Sequence, residues 1–149
     1  MRIFEVMSEH VQTVGPGDDA EKAWTIMQTK GVRHLVVTDG TTVVGVLSDS
    51  DAGGRAGQPV RAGKTVADLM DHHVVTIGRE DTIRKAANLM NGRLIGCLPV
   101  IHRGKLVGVV TISDMLKAVG RGIDRPSHES RAATHYRVPH RKTGSTGRW

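Results

Sequence analysis

The chain states one pattern twice. Gly45-Val46-Leu47-Ser48-Asp49-Ser50-Asp51 returns as Gly108-Val109-Val110-Thr111-Ile112-Ser113-Asp114, 63 residues further on. At the same displacement Met7 meets Met70, Val11 meets Val74, Thr13 meets Thr76, Ala23 meets Ala86 and Met27 meets Met90. Leu35 then meets Leu98, Val37 meets Val100 and Val44 meets Val107, with no gap between. An internal repeat of this length means that one supersecondary unit is used twice, so any fold must accommodate two copies of it. Each copy ends in Gly-apolar-apolar-Ser/Thr-x-x-Asp, which places the most chemically versatile side chains at equivalent points.

Each copy reads as strand, helix, strand, strand, short helix, an α/β pattern. In the first, Val11 to Val14 is a strand candidate stopped by Gly15-Pro16-Gly17. Asp18 or Asp19 can cap the helix that follows. Ala20, Ala23, Trp24 and Met27 fall at i, i+3, i+4 and i+7, one buried helical face, and Gly31 ends it. His34 to Thr38 and Val43 to Leu47 flank Asp39-Gly40-Thr41-Thr42 as a hairpin. The second copy repeats this with Val74 to Ile77, the face Ile83, Ala86, Ala87 and Met90, and the strands Cys97 to Ile101 and Leu106 to Val110. Short helical lead-ins, Ile3 to Met7 and Val66 to Met70, precede the copies, and Thr65 caps the second. Gly53 to Pro59 reads as a flexible connector. The expected divisions are 1–61, 62–122 and a basic tail, 123–149, without apolar periodicity and expected to be disordered.

At 149 residues the chain has the length of one domain, or of two half-domains sharing a core. A single cysteine, Cys97, excludes an internal disulfide and fits a reducing compartment. Glu5 interrupts any apolar signal core, and no apolar run approaches the ~18 residues of a membrane span, so a cytoplasmic protein with no membrane partner is expected. The net charge of +6 suggests nucleic acid until it is located: from Arg125 onward six basic residues face only Glu129, so +5 of it lies in the tail. The repeats are almost neutral, which argues against a nucleic-acid platform on the folded body.

The pairs Ser48/Asp51 and Thr111/Asp114 admit two readings. Ser/Thr-x-x-Asp is a helix-capping pattern. The same carboxylate at a helix start can also accept bonds from two adjacent sugar hydroxyls, while the hydroxyl and free N–H groups face phosphate. The preceding glycine would let a planar ligand approach the strand. Other motifs carry less. Gly63-Lys64-Thr65 ends like a phosphate-binding loop, but position 58 is glutamine where glycine is required. His72 and His73 would point to opposite faces of a strand, and His128, His135 and His140 have no ligand spacing, so no metal site is assigned. Cys97 in an apolar run reads as an inert core thiol, and no Ser-His-Asp or Cys-His grouping supports catalysis.

The element order, the Gly-Val-Arg-His-Leu-Val-Val segment at 31–37, Leu98-Pro99-Val100 and the twin endings together resemble the CBS domain family over about residues 1–120. The resemblance implies a tandem pair of βαββα repeats related by a pseudo-twofold axis, commonly a homodimer, acting as a regulatory sensor and not an enzyme. It implies AMP, ADP, ATP or a related adenosine compound as regulatory ligand, with no obligatory cofactor. Carried over by position, Asp51 and Asp114 hold ribose hydroxyls, with Ser48 and Thr111 near sugar and phosphate. The cleft of Asp114 would be completed by Thr13, Val14, Val32, Arg33 and His34. That of Asp51 would be completed by Thr76, Ile77, Ile95 and Gly96. Arg33 and His34 can pair with phosphate where the second copy offers Gly96 and Cys97, so the Thr111/Asp114 cleft is expected to bind a phosphorylated adenosine more tightly. Val36 departs from the family, which often has the proline kept here as Pro99. The expected function is a nucleotide sensor acting on an unknown partner by population shift. The alternative is a nucleic-acid-associated protein whose repeats dimerise while the tail, with Tyr136 among basic residues, binds RNA or DNA.

Overall fold

Asp19 accepts a hydrogen bond from the Lys22 N–H and caps helix α1, Ala20–Lys30, which Gly31 ends in the left-handed region at φ 67°. Thr82 does the same through the Lys85 N–H for α4, Ile83–Arg93, but there Leu94 takes the left-handed position at φ 55°. The structure, a computed structural model, describes residues 1–122. The basic tail therefore lies outside the described residues. Met1–Lys117 forms one compact unit. The described start of a second unit, from Ala118, holds the end of the last helix and a turn in which the Arg121 N–H donates to the Ala118 carbonyl.

Two three-stranded sheets carry the repeats. In the first, β1 (Thr13–Val14) lies parallel to β2 (His34–Asp39), which runs antiparallel to β3 (Thr42–Ser48). In the second, β4 (Ile77–Gly78), β5 (Cys97–His102) and β6 (Lys105–Thr111) repeat the order. The hairpin register, including a bulge near the turn end, is the same in both. The first strands are shorter than the sequence implies, and β4 is displaced by one residue. Val36 donates its N–H to the Gln12 carbonyl at 3.1 Å, which opens the β1–β2 ladder. Pro99 occupies the equivalent place, has no N–H, and delays the second ladder to Ile77.

The lead-ins are exchanged between copies. The 3-10 turn Ile3–Glu5 bonds to the second copy: the Ile3 N–H donates to the Asp81 carbonyl at 2.9 Å and the Phe4 N–H to Arg79 at 3.0 Å. Helix α3 (Val66–Leu69) mirrors this on the first copy, the Val66 and Ala67 N–H groups donating to the Asp18 and Pro16 carbonyls, both at 2.8 Å. Ser8 bridges to Val109 and Asp71 to Val46 in the same fashion. These paired bonds are the pseudo-twofold relation written in backbone. The first core accordingly gathers Val14, Ala23, Met27, Leu35, Val37 and Leu47 with Val66 and Met70. Ile3 and Val6 are buried; of their counterparts Val66 is buried and Leu69 half-buried.

Two expectations need correction. The first copy lacks its final short helix: α5 (Ile112–Gly120) follows Thr111, but Ser48 is followed by turns. Gly53 and Gly54 sit at φ 91° and 68°, outside the right-handed helix, where the second copy has Leu116 and Lys117. The connector is not a flexible one either. A Cβ on Gly57 would collide with the Gly53 backbone, so the chain crosses itself there. Arg61, at the end of α2 (Gln58–Arg61), then locks it. Its guanidinium donates to the Ala52 and Gly54 carbonyls at 2.8 and 2.7 Å and to Glu21 at 2.9 Å, and lies 4.4 Å over the Trp24 ring.

Candidate functional site

The two Gly-x-x-Ser/Thr-x-x-Asp endings close as reciprocal hydrogen-bonded boxes. The Asp114 N–H donates to Thr111 Oγ1 at 3.2 Å, while the Thr111 N–H and hydroxyl donate to Asp114 Oδ2 at 2.9 and 3.0 Å. The Asp51 N–H donates to Ser48 Oγ at 2.9 Å and the Ser48 N–H to Asp51 Oδ2 at 3.2 Å. In each carboxylate Oδ2 serves the box, and Oδ1 has no partner among the described residues. Capping and ligand binding are thus compatible on one side chain.

Each box faces a cleft walled by the other copy. The Ile112 N–H donates to the Gly96 carbonyl at 3.1 Å, and the Asp49 N–H to the Arg33 carbonyl at 2.9 Å, which ties each ending to the loop of its own copy that walls the other cleft. A cavity of about 570 Å³ is lined by Thr111, Ser113, Asp114 and Lys117 on one side and by Val32, Arg33 and His34 on the other. The second cavity, about 250 Å³, brings together Ser48, Ser50 and Asp51 with Ile95, Gly96 and Cys97. His34 and Gly96 line both, so the clefts meet at these residues.

The first-strand residues fall elsewhere. Val14 and Ile77 are buried in the cores, Thr13 and Thr76 are exposed, and none of the four lines a cleft. Gln12 and Val75, one position earlier, do. The ends of the lead-ins supply walls that the sequence reading missed: Ser8 and His10 in the larger cleft, Asp71 and His73 in the smaller. A signal existed, since His10 and His73 stand at the same displacement as the rest of the repeat. The glycine of each ending makes room for these lead-ins, and not for a ligand. A Cβ on Gly45 would meet the Asp71 carbonyl oxygen at 2.7 Å, and one on Gly108 the Ser8 carbonyl oxygen at 2.8 Å.

Electrostatically the clefts differ. Burial holds the His34 imidazole below its usual value, outweighing the upward pull of Asp49 and Asp51, with Arg33 adding to the depression. His34 is therefore neutral at pH 7. Burial, followed by the Asp114 charge, pushes the Cys97 thiol up to about 12, which leaves it unreactive. Among the described residues no cluster of His, Cys, Asp and Glu is arranged to hold a metal ion, and no helix is long and apolar enough to cross a membrane.

Comparison with known proteins agrees with the geometry. The CBS domain-containing protein YhcV of Bacillus subtilis is 25% identical over 93% of this chain and 95% of its own length. The inosine-5′-monophosphate dehydrogenase of Thermoplasma acidophilum is 28% identical over 74% of this chain, which spans only 22% of that enzyme, so the likeness does not extend to the whole enzyme. Among solved structures, CBSX2 in complex with AMP superposes with a TM-score of 0.69 at 27% identity, covering 83% of this chain and 98% of that one. The model of the CBS domain matches residues 3–52 and 66–121, one segment per repeat, and with two βαββ units that exchange lead-ins and close two clefts the chain belongs to the CBS domain family.

Proposed function

We propose that this protein is a regulatory sensor of adenosine nucleotides, and that the phosphorylated ligand sits in the Thr111/Asp114 cleft. The observation that carries the reading is the convergence there of an unpartnered carboxylate oxygen on Asp114 with Arg33, Lys117 and the first turn of α5. Asp114 Oδ1 suits the ribose diol. The helix start and the two cations suit a phosphate. A ligand-bound relative, CBSX2 with AMP, supports the ligand class. Binding would favour one arrangement of the repeats and pass the change to a partner protein, limited by the ligand's differential affinity for the two arrangements. The lone buried Cys97 fits a reducing, cytoplasmic setting.

The test is a thermal-shift screen across AMP, ADP, ATP and NAD on the intact chain. A saturating ligand at a hundred times its Kd is expected to add about 2.7 kcal/mol to the folded state. Asp114→Ala should abolish the shift. No shift with any adenosine compound would remove the reading, and RNA affinity that falls steeply with salt and depends on residues 123–149 would favour the nucleic-acid alternative.

His34 gives this reading a pH signature. In the free protein its imidazole is neutral, and a phosphate brought into the same cleft favours the imidazolium. Binding then takes up a proton, so AMP affinity should rise as pH falls from 8 toward 6. In His34→Asn the slope should disappear. A slope unchanged by that substitution would place the titrating group elsewhere.

We further infer a homodimer through α4 and α5. Leu94 is 89% exposed and Leu116 67%, and Ala87, Met90, Ile112 and Met115 line an apolar hollow beside them. Sedimentation should find a dimer that Met115→Glu converts to monomer. A monomeric wild-type chain at micromolar concentration would refute it.

A further inference from the structure

The two clefts share a plan but not a charge. Ser8, Arg33, Ile112 and Lys117 line the larger cleft; of their repeat equivalents Asp71 and Gly96 line the smaller, while Asp49 and Gly54 lie outside its lining, Asp49 near enough for its charge to act on His34 in the wall. Every difference makes the Ser48/Asp51 side more negative. His10 and His73 occupy matching places and do not contribute to the contrast.

The backbone repeats the distinction. In the first turn of α5 the Ser113 N–H has no acceptor among the described residues and opens on the larger cleft. Its counterpart, the Ser50 N–H, donates to Asp49 Oδ1 at 2.8 Å. The Ala52, Gly53 and Gly54 N–H groups are likewise taken by the carbonyls of Ser48, Ser50 and Asp49. In α5 the Ile112 and Asp114 N–H groups are taken by Gly96 and Thr111, so among the described residues Ser113 is the one free donor of that turn, and the Ser48 ending has no counterpart to it. A carboxylate of the chain has taken the bond that an anionic ligand would otherwise receive. The cavity is also under half the volume of the other, about 250 Å³ against 570 Å³.

We propose that the Ser48/Asp51 cleft takes an adenosine ligand whose 5′ end carries no negative charge, and that Asp49 and Asp71 exclude phosphorylated nucleotides from it. The inference rests on the adenosine reading of the family clefts and divides their ligands by charge. Asp51, with Oδ1 free, keeps the ribose role. Asp71 is anchored by its bridge to Val46 and by the His73 N–H at 2.9 Å, so its carboxylate cannot simply swing away from an incoming phosphate. One chain would then report a phosphorylated and an unphosphorylated adenosine compound independently.

The experiment is calorimetric titration of adenosine and of AMP into the intact chain carrying Asp114→Ala, which silences the larger cleft. Asp114→Asn serves if the alanine variant is poorly folded, because its amide oxygen can still accept the capping bond. Adenosine should bind at least about tenfold more tightly than AMP, the scale of one or two close like-charge contacts. Adding Asp71→Ser and Asp49→Ala should raise AMP affinity about tenfold and leave adenosine within about twofold. Asp51→Ala should remove adenosine binding. AMP binding as tightly as adenosine, or an AMP affinity unmoved by the two aspartate substitutions, would overturn the inference. So would absence of both ligands from the silenced variant while AMP still binds the wild type. If AMP fails to bind the wild type as well, the adenosine reading itself falls.

Discussion

Arg61→Ala should lower the unfolding free energy by about 3 kcal/mol, which for a chain of ordinary marginal stability is a large share of the total. Arg61 is 2% exposed, and its side chain joins elements distant in sequence, with Glu21 40 residues away. Three contributions are lost together. The buried Ala52 carbonyl is orphaned, the Gly54 carbonyl loses its charged donor, and Trp24 loses the guanidinium over its ring. A hydrogen bond to a charged group is worth about 1.5–3 kcal/mol and a desolvated cation–π contact about 2 kcal/mol, but these do not add fully. Glu21 is 44% exposed in its side chain, so its ion pair contributes least. Arg61→Lys should recover only part of the loss, because one ammonium cannot reproduce the fork that serves two carbonyls and a carboxylate. Urea denaturation of both variants gives the comparison. A loss below about 1 kcal/mol for the alanine variant would show that the connector holds without its lock.

Gly108→Ala should cost about 2–3 kcal/mol although it adds a single methyl group to a strand. The new Cβ would sit 2.8 Å from the Ser8 carbonyl oxygen and 2.8 Å from Met7 Sδ. Methionine can move aside, but the carbonyl cannot. It accepts the Val109 N–H at 2.9 Å while the Ser8 N–H donates to the Val109 carbonyl at the same distance. Relief requires the lead-in to peel away from β6. That motion would also displace Ser8 and His10 from the wall of the larger cleft, so AMP affinity should drop with stability. Gly104→Ala makes a useful contrast: it has open space around it but φ 77°, so any cost there is backbone strain without loss of the cleft. Equal effects of the two substitutions on AMP binding would contradict the assignment of the lead-in as cleft wall.

The duplication itself was legible because a constant displacement preserves helix faces, hairpins and boxes alike. Residues 34–39 and 97–102 became strands of the same length at the same offset, as did 42–48 and 105–111. The exchange of lead-ins was not legible. Ile3 and Val66 are equivalent in the repeat, so the pattern is the same whether each packs on its own copy or on the other. The glycines of the two endings misled for a related reason. Close approach by a ligand and close approach by Met7-Ser8 or Met70-Asp71 demand the same missing side chain. Arg61 was hidden because a charged residue in a Gly-rich connector looks solvated unless Trp24 and Glu21 are known to stand beneath it. The missing helix after Ser48 was foreshadowed by Gly53-Gly54, where the second copy has Leu116-Lys117, although the two boxes just before match. Cleft residues were displaced by one along the first strands, since a two-residue strand gives periodicity too little length to fix which side chain points where.

The most direct test of the account is calorimetric titration of AMP into three proteins: wild type, Asp51→Ala and Asp114→Ala. One tight AMP site per chain is predicted for the wild type, kept within about threefold by Asp51→Ala and weakened about a hundredfold by Asp114→Ala, the loss of two charge-assisted bonds to the ribose. A larger loss from Asp51→Ala than from Asp114→Ala would contradict it.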